Sequence, residues 1–229
     1  MAIGRHWEWR AFGQISDAFR GRFNLLSLAY PDGEPWARVT DEYLWVPGVR
    51  INVKLRKGIE DGLKIKRLEQ RDSGLELWYE KPEELYPFAQ LNATTLGALA
   101  RVLSIELPAI EPGPYDREKT ITLLAKARPS PRIIRVDKLR QTRKLARAEL
   151  VAKVEIAEIT SPEVTYSVGI ENDADLGPQA TDQEIASAKN SIVLAIDALN
   201  LRDEKLKTMG YLEALERWGT RTSQNATQC

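Results

Sequence analysis

Apolar and charged residues alternate with a strict period of two over VRINVKLRKG, residues 49–58. Val49, Ile51, Val53 and Leu55 point one way, and Arg50, Asn52, Lys54 and Arg56 the other. That period marks a half-buried strand. The same alternation runs through the opening GRHWEWRAFG, residues 4–13, where His6, Glu8 and Arg10 interleave with Trp7 and Trp9. It recurs in LKIKRLEQ, with Lys64 and Lys66 against Leu63 and Ile65, and in LELWYEK, with Glu76, Trp78 and Glu80 against Leu75, Leu77 and Tyr79. DEYLWVPG, residues 41–48, reads as a short strand closed by Pro-Gly. Turns at Asp61-Gly62 and Asp72-Ser73-Gly74 join three of these strands into an antiparallel meander. In the second half RIIRVDKLRQTRK, ARAELVAKVEIAEI and EVTYSVGIE read as three more strands, the last two separated by Ser161-Pro162.

The period lengthens in three places. Asn92 caps a helix over 93–104 with Leu96, Leu99, Val102 and Leu103 as its apolar stripe. Thr181 and Glu184 form a capping box that opens a helix over 182–200, with Ile185, Ala188, Ile192, Ile196 and Leu199 on one face. KTMGYLEALERWG, residues 207–219, reads as a last helix stopped by Gly219. SDAFRGRFNLLSLAY fits no single period. EPGPYD, residues 111–116, is the expected linker between two halves, with a hinge near 108–117. The expected organisation is one domain over 1–219 and a flexible tail over 220–229. Antiparallel runs of strands, without βαβ alternation, place the chain in the α+β class with a large antiparallel sheet or barrel.

Composition narrows the functions. The chain has 229 residues, 43% of them hydrophobic, enough to bury a core. Lys+Arg and Asp+Glu both number 33, and this balance argues against a general nucleic-acid or membrane-surface binder. The lone cysteine, Cys229, cannot staple a fold, and the lone histidine, His6, excludes a multi-histidine zinc site. The start is unlike a signal peptide and no apolar run suits a membrane span, so the cytoplasm is the expected location.

The polar strand faces carry the candidate chemistry. Arg50, Lys54, Arg56, Lys64 and Lys66 fall on adjacent strands, within about 5–8 Å of one another across the sheet. Two like charges at roughly 6 Å repel by about 3 kcal/mol at an effective dielectric near 20. On an open sheet, water and salt would screen them. Inside a closed barrel they need counter-charge from carboxylates, metal ions or a polyanion. In the second half Lys138 and Arg140 are basic, and Glu149, Lys153 and Glu155 alternate with apolar residues before Glu171 ends its strand.

The order of these motifs resembles the CYTH, or triphosphate tunnel, superfamily over roughly residues 4–172. An E-x-E-x-K-type first strand appears here as His6-Trp7-Glu8-Trp9-Arg10, and a D-x-Y strand as Asp41-Glu42-Tyr43. A basic strand follows with Arg50, Lys54 and Arg56, then a K-x-K strand with Lys64 and Lys66. The stretch VKLRKG to GLELWYEKP looks most like a little-characterised branch. The resemblance implies an eight-stranded antiparallel barrel with a charged interior and covering helices. It also implies a triphosphate or other polyphosphate-containing small molecule as ligand, Mg²⁺ or Mn²⁺ as cofactor, and phosphoanhydride hydrolysis as the activity. By the same resemblance Arg10, Arg50, Lys54, Arg56, Lys64, Lys66, Lys138 and Arg140 would bind phosphate. His6, Glu8, Glu149, Glu155 and Glu171 would hold metal, with Glu8 indispensable to catalysis. His6 stands where the family has a glutamate and Arg10 where it has a lysine. Mg²⁺ prefers oxygen donors, so the imidazole shifts the expected ion toward Mn²⁺. The competing expectation is a binding or protein-interaction module whose site has lost catalysis.

Overall fold

The computed structural model describes residues 4–28, 36–57, 62–80, 85–86, 91–147, 150–172, 176–177 and 179–226; the side chains of 56, 57, 85, 86, 147 and 221–226 lie outside the description. In chain order the elements are β1 (Arg5–Gly13), α1 (Asp17–Asn24), β2 (Ser27–Leu28), β3 (Ala37–Trp45), β4 (Ile51–Lys57), β5 (Gly62–Asp72), β6 (Leu75–Tyr79) and β7 (Leu85–Tyr86). Then come α2 (Ala93–Leu103), α3 (Arg117–Ala125), β8 (Arg132–Arg147), β9 (Leu150–Ser161), β10 (Thr165–Asn172), α4 (Asp182–Ala198), β11 (Leu206–Thr208) and α5 (Tyr211–Ala226).

Eight strands close into an antiparallel barrel. The pairing runs β1, β6, β5, β4, β3, β8, β9, β10 and back to β1. The two meanders expected from the sequence are β4–β5–β6 and β8–β9–β10; β1 and β3 join them at either side. Closure removes every exposed strand edge of the ring.

The alternation decides which side of the wall is dry. Trp7, Trp9, Leu75 and Leu77 point outward and pack with Ile192, Ala195 and Ile196 of α4 and with Phe19 and Phe23 of α1. Trp7 Nε1 donates to the Ile185 carbonyl at 3.0 Å, fixing the first turn of α4 on the barrel. Val53, Leu55, Leu63 and Ile65 point outward under α2 and α3. The expected caps are in place: Asn92 and Thr181 each form a capping box, with Thr95 and Glu184. Two apolar cores therefore lie outside the wall; a third, with Phe12, Tyr43, Trp45, Ile134, Val136 and Ile159, takes inward positions at one end against α5, and the remaining inner wall is rich in charge.

Three sequence expectations change. The unassigned segment after β1 is α1, capped by Ser16 and anchored through Phe19 and Phe23. Arg50 stands just before β4; its carbonyl accepts from Leu68 N–H at 3.2 Å, and its side chain is exposed at the strand's end. The last helix starts at Tyr211, with Lys207 and Thr208 in β11, and runs through Gly219 to Ala226. Gly219 does not cap that helix. It lies against Trp45, whose ring carbon would be 2.6 Å from a Cβ at this position.

Candidate functional site

Backbone register builds the inner wall. Glu8 on β1 stands opposite Glu76 on β6 and Glu171 on β10. Lys54 on β4 lies between Tyr43 on β3 and Lys64 on β5, and Asn52 opposite Lys66. Asp41 is opposite Arg56 in register, and the Arg56 side chain lies outside the described residues. On the far side Arg140 of β8 faces Ala157 of β9, two residues from Glu155.

The counter-charge for the clustered cations comes from carboxylates, and each of three carboxylates serves two cations. Glu80 takes Lys64 at 2.7 Å and also pairs with Lys66. Asp41 takes Lys138 at 3.0 Å and Lys54 at 3.7 Å. Glu155 takes Arg10 and Arg140, both at 3.2 Å. Arg10 also donates from Nε to Glu8 Oε1 at 2.6 Å and from Nη1 to Ser167 Oγ at 2.7 Å. Its guanidinium lies over the Tyr211 ring, 4.7 Å from the centroid.

These neighbours set the ionisation of the site. Burial raises the Glu80 carboxyl, but Lys66 and Lys64 outweigh it and hold it far below the usual carboxylate range. Burial likewise opposes the charge on Glu155, and Arg10, Lys138 and Arg140 overcome it. Glu8 follows the same pattern, with Arg10 and Lys66 outweighing burial. Burial, then Lys66, pushes His6 below its ordinary value, which leaves a neutral imidazole with a lone pair to offer. Glu76 goes the other way, raised by burial and then by Glu8.

Of the expected metal ligands, His6, Glu8 and Glu171 come together, with one donor atom from each within 4.8 Å of the others. His6 Nε2 is 4.0 Å from Glu8 Oε2. Bonds of about 2.1 Å allow donors to be at most roughly 4.2 Å apart, so a small contraction would seat an ion. One imidazole and two carboxylates fit a divalent ion such as Mn²⁺, and these three residues would hold it. Glu155 lies apart from the trio, between Arg10 and Arg140. Glu149 is outside the described residues. Of the expected phosphate binders, Arg10, Lys54, Lys64, Lys66, Lys138 and Arg140 share the inner wall, and Arg50 does not.

Asn52, on the inward face beside Lys66, is buried, and its Oδ1 has no hydrogen-bond partner among the described residues. Glu80, Asn52, Ser167 and Tyr211 are site residues that the motif reading missed. For Glu80 and Asn52 the alternation held the signal, since each shares a face with a named residue. Tyr211 comes from a distant helix and left none.

Comparison with protein-family models gives no match, and comparison with curated proteins gives none either. Among solved structures the chain is similar to a conserved hypothetical protein from Pyrococcus furiosus, at 15% identity over 90% of this chain and 98% of that one, with a TM-score of 0.47. A Pyrococcus horikoshii protein matches at 16% identity over 90% and 98%, with a TM-score of 0.46. A provisionally named adenylate cyclase from Bacillus halodurans matches at 10% identity over 94% and 98%, with a TM-score of 0.43. No helix among the described residues is long and apolar enough to cross a membrane.

Proposed function

We propose that the inner wall of the barrel binds the phosphate chain of a triphosphate or another polyphosphate-containing small molecule, as in the CYTH superfamily that the strand motifs resemble. The observation that carries this reading is the sharing of Glu80, Asp41 and Glu155 by three pairs of cations. Among the described residues Glu8, which takes Arg10, and Glu76 and Glu171 opposite it complete the carboxylates that face these cations. A polyanion entering the barrel could take over the second cation of each shared carboxylate, where water screens the attraction little. Asn52 supports the same reading, because a ligand at the level of Lys66 would satisfy its amide.

A divalent ion on His6, Glu8 and Glu171 would supply charge neutralisation for the phosphoryl oxygens. Lys64 and Lys66 would turn from Glu80 onto the phosphates, and Arg10 would hold Glu8 in place. Hydrolysis of a phosphoanhydride by water is the reaction such a site serves. A second reading, a binder without turnover, is favoured by one observation. Arg10 already sits 2.6 Å from Glu8 Oε1, and Lys66 lies 3.4 Å from His6 Nε2, so cations occupy both flanks of the metal trio.

Thermal unfolding tests the binding. Tripolyphosphate at a hundredfold excess over Kd would stabilise the fold by about 2.7 kcal/mol. For a chain of this size that is a rise of roughly 5–10 °C in Tm. Lys64→Glu, placed where the side chain is partly exposed, should abolish the rise while leaving the fold intact. No shift for the wild type at low salt and millimolar tripolyphosphate contradicts the proposal. Phosphate release with Mn²⁺ separates the hydrolase from the silent binder.

A further inference from the structure

We propose that a cavity on the outside of the barrel, between α4, β11 and the outer faces of β1 and β6, binds a small carboxylate with a flat apolar body. The cavity is separated from the proposed phosphate site by the barrel wall, and the proposal does not depend on that site.

The cavity holds about 470 Å³, within the range of about 300–1,000 Å³ that small-molecule sites occupy. Its base is a cross-strand pair. Trp9 of β1 stands directly opposite Leu75 of β6, and both point away from the barrel interior. Lys189, Val193 and Ile196 follow at i, i+4 and i+7 on one stripe of α4 and form the first side. Leu201 and Arg202, in the 3₁₀ turn after α4, form the second side with Leu206 of β11. The space exists because of where the chain turns. α4 ends at Ala198, Asn200 takes the left-handed conformation at φ 49°, and pairing with β1 begins only at Leu206. The segment between is tied to α1. Glu204 accepts from Ser16 N at 2.8 Å and from Ser16 Oγ at 2.7 Å, and Arg22 donates to the Leu199 carbonyl at 3.0 Å. Both sides are therefore fixed before a ligand arrives, which lowers the cost of ordering on binding.

Charge selects the occupant. The lining has two cations, Lys189 and Arg202, and two hydroxyls, Ser73 and Thr208, but no carboxylate. Each cation has one acidic partner beyond the lining: Lys189 pairs with Asp72, and Arg202 donates from Nε to Asp197 at 2.7 Å. The Arg202 Nη groups have no hydrogen-bond partner among the described residues. A guanidinium edge matches the geometry of a carboxylate. The Arg202 side chain is 66% exposed, so an acid head placed on it stays at the wet rim. The body then lies against Leu75, Val193 and Ile196, and the Trp9 indole gives a flat aromatic body a ring partner. A cationic amphiphile meets like charge in the same place.

Calorimetric titration of the full chain reads this out, with naphthoate as probe and naphthalenemethanol and naphthylmethylamine as its neutral and cationic matches. One naphthoate per chain is expected, about tenfold tighter than the alcohol, and no binding of the amine. Arg202→Gln, at an exposed position, should bring naphthoate to the affinity of the alcohol and leave the alcohol unchanged. Val193→Trp fills the cavity from α4 and should abolish both; if that variant does not melt cooperatively, Arg202→Gln still decides. Lys64→Glu, inside the barrel, should change neither. No binding at millimolar naphthoate, or equal affinity for acid and alcohol, overturns the proposal. So does loss of naphthoate binding in Lys64→Glu but not in Arg202→Gln, which would place the acid inside the barrel.

Discussion

Gly169 on β10 lies directly opposite Arg10 on β1, and the space left by its missing side chain is filled by the Arg10 guanidinium: a Cβ at this position would be 2.6 Å from one Nη and 2.8 Å from Cζ. From that seat the guanidinium reaches Glu8 and Ser167 and closes on Glu155. A residue without a side chain thus orders the most connected cation of the inner wall.

Gly169→Ala should displace Arg10 and strand two buried carboxylates. Removing one partner of a buried ion pair costs about 3–5 kcal/mol, and a displaced but present guanidinium should cost toward the lower figure. Urea unfolding at pH 7 measures it. A loss under about 1 kcal/mol would mean that Arg10 has another seat of equal quality.

Acid should weaken the fold through Glu155. Its folded carboxyl is held below the usual range, so its stabilisation is complete above the unfolded pKa of about 4.3 and is lost as pH falls from there toward the folded value. Below about 4.3 the unfolded chain takes up a proton that the folded site refuses, and the loss is about 1.4 kcal/mol per pH unit. Glu155→Gln cannot lose what it never had. Its stability deficit against the wild type should be largest near neutral pH and narrow at that rate as pH falls through 4 and 3. Parallel curves for the two proteins would remove Glu155 from the charge network.

Gly219→Ala sets helix propensity against packing. In a free helix the change would stabilise by about 1 kcal/mol. Here the new methyl meets the buried Trp45 ring at 2.6 Å, and overpacking of that kind costs about 1–3 kcal/mol. The variant should melt below the wild type. A higher Tm would show that α5 does not press on the barrel floor.

The metal trio predicts ion preference. With His6 in place, Mn²⁺ should raise Tm more than Mg²⁺ at equal concentration, since imidazole is a poor donor for the harder ion. His6→Glu should bring the two ions together, and Glu8→Gln should remove both effects. If phosphate is released from tripolyphosphate, thiamine triphosphate or ATP, the release should follow the same order. Equal response to both ions in the wild type, or release unchanged in Glu8→Gln, contradicts the assignment.

Most of the wall was legible in the sequence because alternation is a local property. Period two puts Lys54, Lys64, Lys66, Glu8 and Arg10 each on the polar face of its own strand, and in the closed barrel that face is the inner one. Arg50 shows the limit, since parity continues to the end of the strand, where the side chain is exposed. α1 and α3 leave no clear period in the sequence. The first is short and rests on an i, i+4 pair, Phe19 and Phe23, within charged residues; the second has almost no amphipathic contrast. The sharing of Asp41 and Glu155 is beyond the reach of a local pattern because one partner of each, Lys138 and Arg10, comes from a strand distant in sequence, and for Glu80 the alternation gives the face but not which lysines it meets. Gly219 misled for a related reason. A glycine near a helix end reads locally as a stop, and only Trp45, brought in from β3, explains it.

A crystal structure of the protein with tripolyphosphate and Mn²⁺ tests the central claim most directly. The account predicts phosphate density inside the barrel, with Lys64 and Lys66 turned from Glu80 onto its oxygens and anomalous density among His6, Glu8 and Glu171. Phosphate density confined to the outer surface, or an inner wall with every one of these pairs unchanged at saturating ligand, would contradict it.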